Sequence, residues 1–226
     1  MGNDQRIYTI APNDFAFLYE DCSPCFYLKI RAGVRRPQGA FPSILGRWAA
    51  AQSNYFVGRS TKDLSLSLPD GVIRVAERFV KSAPLEVPGH KSRIIIRGRI
   101  DLGLEFKDET FGLVDLKTAK PDPGLTTKYY PQLGFYCLAL ERPAPGVFGM
   151  RPITQVGLQV LTPTDMGAIY GVGADYGVGF TSKYMPIERD DNRTLGLLAQ
   201  VLDVLDMPEP PEPNEDCTFC AYRSSK

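Results

Sequence analysis

Two aspartates and a lysine lie near the middle of the sequence in a pattern suited to phosphate-ester hydrolysis. Asp101 closes the tetrapeptide G-R-I-D, and Asp115 and Lys117 stand two residues apart in V-D-L-K-T. Side chains two apart on a strand project from the same face, and a hairpin can bring Asp101 beside them. Carboxylates are the hard oxygen ligands that Mg²⁺ or Mn²⁺ prefers, and a neighbouring ammonium can stabilise charge on a phosphate. The pattern predicts metal-dependent phosphodiester hydrolysis.

The D-x-K pattern alone is weak evidence, because an Asp–Lys pair on the solvent face of a sheet needs no function. Val114 and Leu116 alternate with Asp115 and Lys117. Alternation predicts that the two apolar side chains point inward and that the charged pair lies on the opposite face, at an exposed edge or a cleft.

The elements that must position these residues indicate an α/β fold. Pro24 is expected to interrupt the first helix, Gly98 is a candidate break in a strand, and Pro131 fits the first turn of its helix better than the interior. Residues 166–179 are rich in glycine and have no clear pattern. Hydrophobic periodicity predicts helices over 13–31, 43–57, 70–81, 127–141 and 190–206, and strands over 93–106, 111–118 and 153–161.

The motifs, taken in order, resemble those of RecB-like PD-(D/E)XK nucleases. G-R-I-D, V-D-L-K-T and Y-Y-P-Q-L-G-F-Y are similar to successive family motifs, and the resemblance extends over residues 14–30, 70–141 and 190–223. It implies a nuclease core with a mixed central sheet flanked by helices. It also implies that Asp101 and Asp115 bind the metal together with the carbonyl of Leu116, and that Lys117 is catalytic.

The same resemblance implies a Q-x-x-x-Y helix that helps to line the site. Its residues are Gln132 and Tyr136, which are four apart and so share one helix face. Many relatives also carry a His or Glu on an early helix, where this sequence offers only Gln52 and Asn54. The missing residue implies altered metal stoichiometry, lower activity or help from another acid such as Glu105.

The only histidine, His90, lies in a loop between proline, glycine and charged residues. A single His in a loop, without converging partners, is expected to be solvated rather than catalytic.

Two CxxC pairs lie far apart in the sequence, Cys22 with Cys25 and Cys217 with Cys220. With no secretion signal, paired CxxC motifs indicate a metal site before they indicate disulfides. Four thiolates can bind tetrahedral zinc or an iron–sulfur cluster, and buried or redox-active cysteines are the alternative. Cys137, on an apolar helix face, is expected to be an inert core residue.

Some RecB-like nucleases, including CRISPR-adaptation exonucleases, hold a [4Fe–4S] cluster with one early cysteine and three late ones. C-S-P-C-F-Y-L and C-T-F-C-A-Y resemble these segments, with Cys25 in place of a third late cysteine. The two-plus-two arrangement leaves both a cluster and zinc open, and we favour the cluster. Because one CxxC pair offers only two ligands, the two pairs are expected to meet in a metal clasp that joins the N- and C-terminal segments.

The composition is that of a globular protein, with 226 residues, 43% hydrophobic and 23% charged. No apolar run is long enough to span a bilayer, and the first residues lack a secretion signal, so a cytoplasmic protein with no membrane partner is expected. The formal net charge is zero, yet residues 1–100 contain 15 Lys and Arg against 8 Asp and Glu. This basic half can face a polyanion or can be ordinary solvated surface. We predict that Arg31, Arg35 and Arg36 face DNA.

We expect one nuclease domain over residues 1–226: a helical part over 1–60, the nuclease core over 61–189, and a helix, Pro-rich linker and second CxxC over 190–226. The expected activity is hydrolysis of DNA, as an exonuclease on single-stranded or end-bearing substrates. A separate helicase or CRISPR and repair proteins are candidate partners. The alternatives are a catalytically weak DNA-binding accessory and a metal-stapled interaction module.

Overall fold

In the computed structural model, which describes residues 5–37, 43–168 and 176–225, a mixed seven-stranded sheet is flanked by helices. This confirms the predicted α/β class. The strands are β1 (Ile7–Ile10), β2 (Gly71–Lys81), β3 (Leu85–Glu86), β4 (Arg93–Phe106), β5 (Phe111–Thr118), β6 (Ile153–Ala168) and β7 (Tyr176–Pro186).

Six α-helices surround the sheet in the described ranges. They are α1 (Pro12–Asp14), α2 (Ser23–Ala32), α3 (Ser43–Phe56), α4 (Gly124–Glu141), α5 (Asp191–Leu205) and α6 (Thr218–Ser224). A π-helical turn (Phe15–Tyr19) follows α1, and a 3₁₀ turn (Thr61–Asp63) precedes β2. None of the helices described is long and apolar enough to cross a membrane.

Strand β4 organises the sheet. It pairs with β1 in parallel and with β2, β3 and β5 antiparallel. Beyond β5 the sheet continues with β6, in parallel, and then β7, antiparallel to β6. The predicted hairpin of β4 and β5 is confirmed, and β4 runs through Gly98 without a break.

The prediction of a helix over 70–81 is wrong, because this segment is β2. It is rich in Val, Ile and Phe, which favour strands, and its pairing with β4 shifts register between Ile73 and Val75. A shift of this kind interrupts the period of two, so the apolar residues recur at a spacing similar to that of a helix.

Helix α4 begins at Gly124, earlier than predicted, so Pro131 lies inside the helix and not in its first turn. Proline removes one helical hydrogen bond. The helix tolerates this loss because it is buried from Tyr130 to Leu140, and packing on several sides stabilises it.

The first helix, the strand predicted over 153–161 and the unassigned stretch 166–179 have different boundaries in the structure from those predicted. The first predicted helix divides into α1, a π-helical turn and α2, and Pro24 lies in the first turn of α2 rather than at the break. Strand β6 continues to Ala168, and β7 covers part of the unassigned glycine-rich stretch. Residues 169–175 of that stretch lie outside the described residues.

The sheet separates two apolar cores. The main core lies between the sheet and α4 and α5, whereas the second core contains Phe56 of α3. Along β4, the even-numbered side chains belong first to the main core and then to the second core. They are Ile94, Ile96 and Ile100, followed by Leu102, Leu104 and Phe106. Asp101 lies where this change occurs.

The N-terminal segment is tied to the end of α5. The hydroxyl of Tyr8 donates to the carbonyl of Leu205 at 3.0 Å, and Arg31 donates to the same carbonyl at 2.6 Å. Tyr27 donates to the carbonyl of Met207 at 3.2 Å. Arg31 therefore joins two chain segments through carbonyls at a helix C-terminus, where a cation is favourable. We predict from the sequence that Arg31 faces DNA, but its side chain makes these internal contacts instead.

Candidate functional site: a buried carboxylate pair beneath helix α4

Strand β5 places Asp115 and Lys117 beneath α4. Val114 belongs to the second core, so its neighbour Asp115 faces the other side of the sheet. That side is covered, and only 4% of Asp115 is exposed. The charged pair does share one face as predicted, but the face is a covered one and not an exposed edge.

Asp101 is brought to the same place by β4. Leu102 pairs with Val114 across the hairpin, so Asp101 stands one step beyond, opposite Asp115. The Oδ2 atom of Asp101 accepts a hydrogen bond from the backbone amide of Leu116 at 2.7 Å. The structure therefore gathers both carboxylates and Leu116 at one point between two strands.

Burial and mutual repulsion change the protonation of this pair. Burial raises the pKa of Asp101, and burial together with the charge of Asp101 raises the pKa of Asp115 to about 7. Lys117 opposes this shift, with its Nζ 2.5 Å from Oδ2 of Asp115. Burial lowers the pKa of Lys117, but the charges of Asp115 and Asp101 outweigh burial and raise it. The site concentrates negative charge that one ammonium does not balance.

The residues present fit a divalent cation. The Oδ2 atom of Asp115 is buried and forms an ion pair with Lys117, whose Nζ lies 2.5 Å away, while Asp101 adds a second carboxylate beside it. Two neighbouring carboxylates in a buried site repel each other, and a divalent cation between them would offset this repulsion. Two neighbouring carboxylates supply hard oxygen ligands of the kind that Mg²⁺ or Mn²⁺ prefers.

Gln132 of α4 orients one carboxylate. Its Nε2 donates to Oδ1 of Asp115 at 3.0 Å, and the side chain is buried. With Oδ1 held in this way, Oδ2 points to the side where Lys117 and Asp101 lie. Gln132 thus acts through Asp115.

Tyr136, one turn further along α4, contacts the backbone of β4. A Cβ atom added at Gly98 would lie 2.5 Å from its hydroxyl, so the ring packs closely against the β4 backbone. Burial, followed by the charges of Asp115 and Asp101, raises the pKa of Tyr136. Gln132 and Tyr136 share a helix face as predicted, yet only Gln132 touches a carboxylate through a hydrogen bond that the structure shows.

Glu77 is an acidic residue near the pair that was not anticipated. Its neighbours Ala76 and Arg78 pair with Leu102 and Ile100, so Glu77 stands opposite Asp101 on the β2 side. Its φ of 48° is in the left-handed region, which is unusual for a residue other than glycine. Burial and then the charge of Asp101 raise its pKa. An acid within the apolar alternation of 71–81 was the available signal.

The remaining polar residues considered in the sequence analysis make no contact with the carboxylate pair that the described structure shows. Glu105 forms an ion pair with Arg74. His90, expected to be solvated, has a side chain only 16% exposed, with ring nitrogens 3.5 Å from Asp203 and 3.8 Å from Asp206 at the end of α5. On α3, Gln52 is buried and Asn54 is exposed.

The four predicted cysteines form a second site. Cys22 and Cys217 are the N-caps of α2 and α6, and Cys25 and Cys220 lie three residues later in the first turns. All four sulfur atoms lie within 4.8 Å of one another, so the two CxxC pairs meet as predicted. Cys137 is fully buried in the main core, as expected.

Arg36 lies beside this cysteine cluster. One of its guanidinium nitrogens is 3.1 Å from the sulfur of Cys217, and the same side chain forms an ion pair with Asp21. Of the three arginines predicted to face DNA, Arg31 and Arg36 make internal contacts and Arg35 is exposed.

Comparison with known proteins gives one clear result. The family model of the PD-(D/E)XK nuclease superfamily matches residues 48–225, which is most of the chain. Seven chains among the solved structures match. One of them, titled "Crystal structure of SSO0001", has 14% sequence identity and a TM-score of 0.46, and the match covers 96% of this chain and 84% of that one. No curated protein sequence matches.

Proposed function

The chain belongs to the PD-(D/E)XK nuclease superfamily, and from this premise we propose that it hydrolyses DNA phosphodiester bonds. In this proposal Asp101, Asp115 and the carbonyl of Leu116 hold a divalent ion, Mg²⁺ or Mn²⁺. The observation that carries it is the pair of carboxylates formed by Asp115, which is buried, and Asp101 opposite it, with Lys117 in an ion pair with Asp115.

When bound, a divalent ion supplies Lewis-acid activation of the phosphate and of a water molecule. The protein residues hold and orient the groups around it. Lys117 provides a positive charge near the phosphate oxygens, and its Nζ lies 4.2 Å from the ring centroid of Tyr129, which helps to fix its position. Gln132 keeps Asp115 in one orientation, and Asp101 is fixed by the Leu116 amide.

The finer proposal is a RecB-like exonuclease that acts on single-stranded or end-bearing DNA, formed by one nuclease domain over residues 1–226. The three ordered motifs support the RecB-like assignment, and the basic character of residues 1–100 supports a polyanionic substrate. Unwinding, where it is needed, falls to a separate helicase, with CRISPR or repair proteins as further candidate partners.

A gel assay tests the proposal. We would incubate the full chain with end-labelled single-stranded DNA, duplex DNA and RNA, each with Mg²⁺, Mn²⁺ or EDTA. Cleavage of DNA that requires a divalent ion is expected, and circular DNA should resist if the enzyme needs an end. DNA binding without cleavage in any metal would identify a non-catalytic accessory instead.

The raised pKa of Asp115, about 7, predicts that metal binding depends on pH. A protonated carboxyl does not bind the ion, so apparent affinity should fall as pH drops below the pKa, by up to about tenfold per pH unit for one proton. Above the pKa, the affinity should level off. The metal concentration for half-maximal cleavage, measured across the neutral range, checks this. A constant value on both sides of pH 7 would contradict the assignment of Asp115.

Glu77→Gln tests the additional acid. Because Glu77 stands opposite Asp101, loss of its negative charge should weaken metal binding several-fold, as for other groups outside the first ligand sphere, with a smaller change in kcat. Glu105→Gln is the matched control, since Glu105 forms an ion pair with Arg74 and should leave the metal dependence unaltered. Equal effects of the two substitutions would remove Glu77 from the site.

A further inference from the structure

The spacing of the four cysteine sulfurs carries information about the metal. Cys22 and Cys220 have sulfurs 3.5 Å apart, and the Cys25 sulfur lies 3.7 Å from those of Cys217 and Cys220. No pair among the four exceeds 4.8 Å. The sulfurs are thus nearly in van der Waals contact and surround a single small hole.

A single zinc ion and a [4Fe–4S] cluster require different distances between the cysteine sulfurs. Around one tetrahedral zinc ion with Zn–S bonds of about 2.3 Å, thiolate sulfurs stand about 3.8 Å apart. In a [4Fe–4S] cluster each thiolate binds a different iron, so four irons and four sulfides must fit between the cysteine sulfurs. Sulfurs in contact with one another leave no space for those eight atoms.

We propose that Cys22, Cys25, Cys217 and Cys220 bind one zinc ion, and that the cluster favoured by the family resemblance does not fit this chain. Four protein ligands leave no open position for water or substrate, which is typical of a structural zinc site. The function of the site is to join α2 to α6. This inference concerns only the cysteine cluster and does not depend on the proposed nuclease activity.

The residues around the four cysteines also leave little room for a metal centre larger than one ion. Each CxxC pair is fixed at the start of a helix, so wider spacing requires the two helix ends to separate or the side chains to turn outward. Leu18 and Phe219 pack against the cysteine cluster and limit the space around it.

Arg36 complements the charge of the proposed zinc site. One zinc ion with four thiolates carries two net negative charges, and burying these costs free energy unless they are compensated. The guanidinium of Arg36 donates to the Cys217 sulfur at 3.1 Å. We expect Arg36→Met to speed the loss of zinc to a chelator, whereas Arg35→Met, at an exposed neighbour, should have no effect.

Metal analysis of the full chain, purified without oxygen, tests the identity of the ion. We would measure zinc, iron and acid-labile sulfide, record the visible spectrum, and repeat the analysis after incubation with excess iron and sulfide. One zinc per chain in colourless protein that resists this incubation is expected. Brown protein with about four irons and four sulfides per chain would overturn the proposal, as would metal-free folded protein whose four thiols all react.

Variants test whether the four cysteines act together. Cys22→Ser and Cys217→Ser should each release the zinc and lower Tm by on the order of 10 °C, because metal binding free energy contributes to folding. Cys137→Ser, in the main core, should retain one zinc. If a variant does not fold, chelator titration of the unmodified chain gives the same information, with zinc loss expected to accompany a fall in Tm. Zinc retained in both ligand variants would refute a shared site.

Discussion

Asp115→Asn and Lys117→Met should each reduce metal-dependent DNA cleavage by at least about a hundredfold. Asp115→Asn removes the charge of a buried carboxylate that forms an ion pair with Lys117. Lys117→Met keeps an unbranched side chain one atom shorter and removes the ammonium that lies 2.5 Å from Oδ2 of Asp115. Both changes affect interactions that strengthen as charge develops on the phosphate, so the loss should appear in kcat.

Matched controls are available on the turn that joins the same two strands. Lys107 is exposed, and Asp108 makes only local contacts with Thr110. Lys107→Met and Asp108→Asn repeat the two chemical changes away from the site and should cleave at the rate of the unmodified chain. Circular dichroism and Tm show whether the variants fold. A folded Lys117→Met variant with undiminished activity would rule out the proposed mechanism.

Gln132→Met should cost about 10- to 100-fold in activity or metal affinity, the range found for groups that orient a metal ligand. The reason is its 3.0 Å hydrogen bond to Oδ1 of Asp115. Without this bond, the carboxylate is free to rotate and competes less well for the ion. Tyr136→Phe should change activity far less, because its hydroxyl lies against the β4 backbone at Gly98.

Comparing these two variants separates orientation from direct participation. The metal concentration for half-maximal activity should rise in Gln132→Met and stay nearly constant in Tyr136→Phe. Tyr136→Phe should instead lower Tm slightly, since the buried ring loses the close contact of its hydroxyl with Gly98. If both variants lose activity to the same degree, the Tyr136 hydroxyl contacts the reacting groups and its proposed supporting role is wrong.

The arrangement of Asp101, Asp115 and Lys117 could be predicted because it depends on local rules. Two strands with a short turn form a hairpin, and the period of two places alternate side chains on one face. Their roles as metal ligands and catalytic group remain predictions. Burial of Asp115 could not be predicted from the strand, because it depends on α4 packing over that face.

The sequence signal for β2 and Glu77, an acidic residue among the apolar residues of 71–81, is obscured for a related reason. The register shift between Ile73 and Val75 hides the strand period, and pairing with a strand some 20 residues later decides the conformation. The two CxxC pairs could be recognised from their spacing. The size of the hole between their sulfurs, which distinguishes one ion from a cluster, is a property of the folded chain alone.

The ties between distant parts of the chain also set an order of events during synthesis. Tyr8 is 197 residues from Leu205, and Cys22 is 198 residues from Cys220. At ordinary translation speeds the later partner emerges roughly 10 to 40 s after the earlier one. Throughout that interval Cys22 and Cys25 have left the ribosome, while the thiols they meet in the folded protein have not yet emerged. The nascent chain therefore exposes two unpartnered thiols, and recombinant production should protect them from oxidation at that stage.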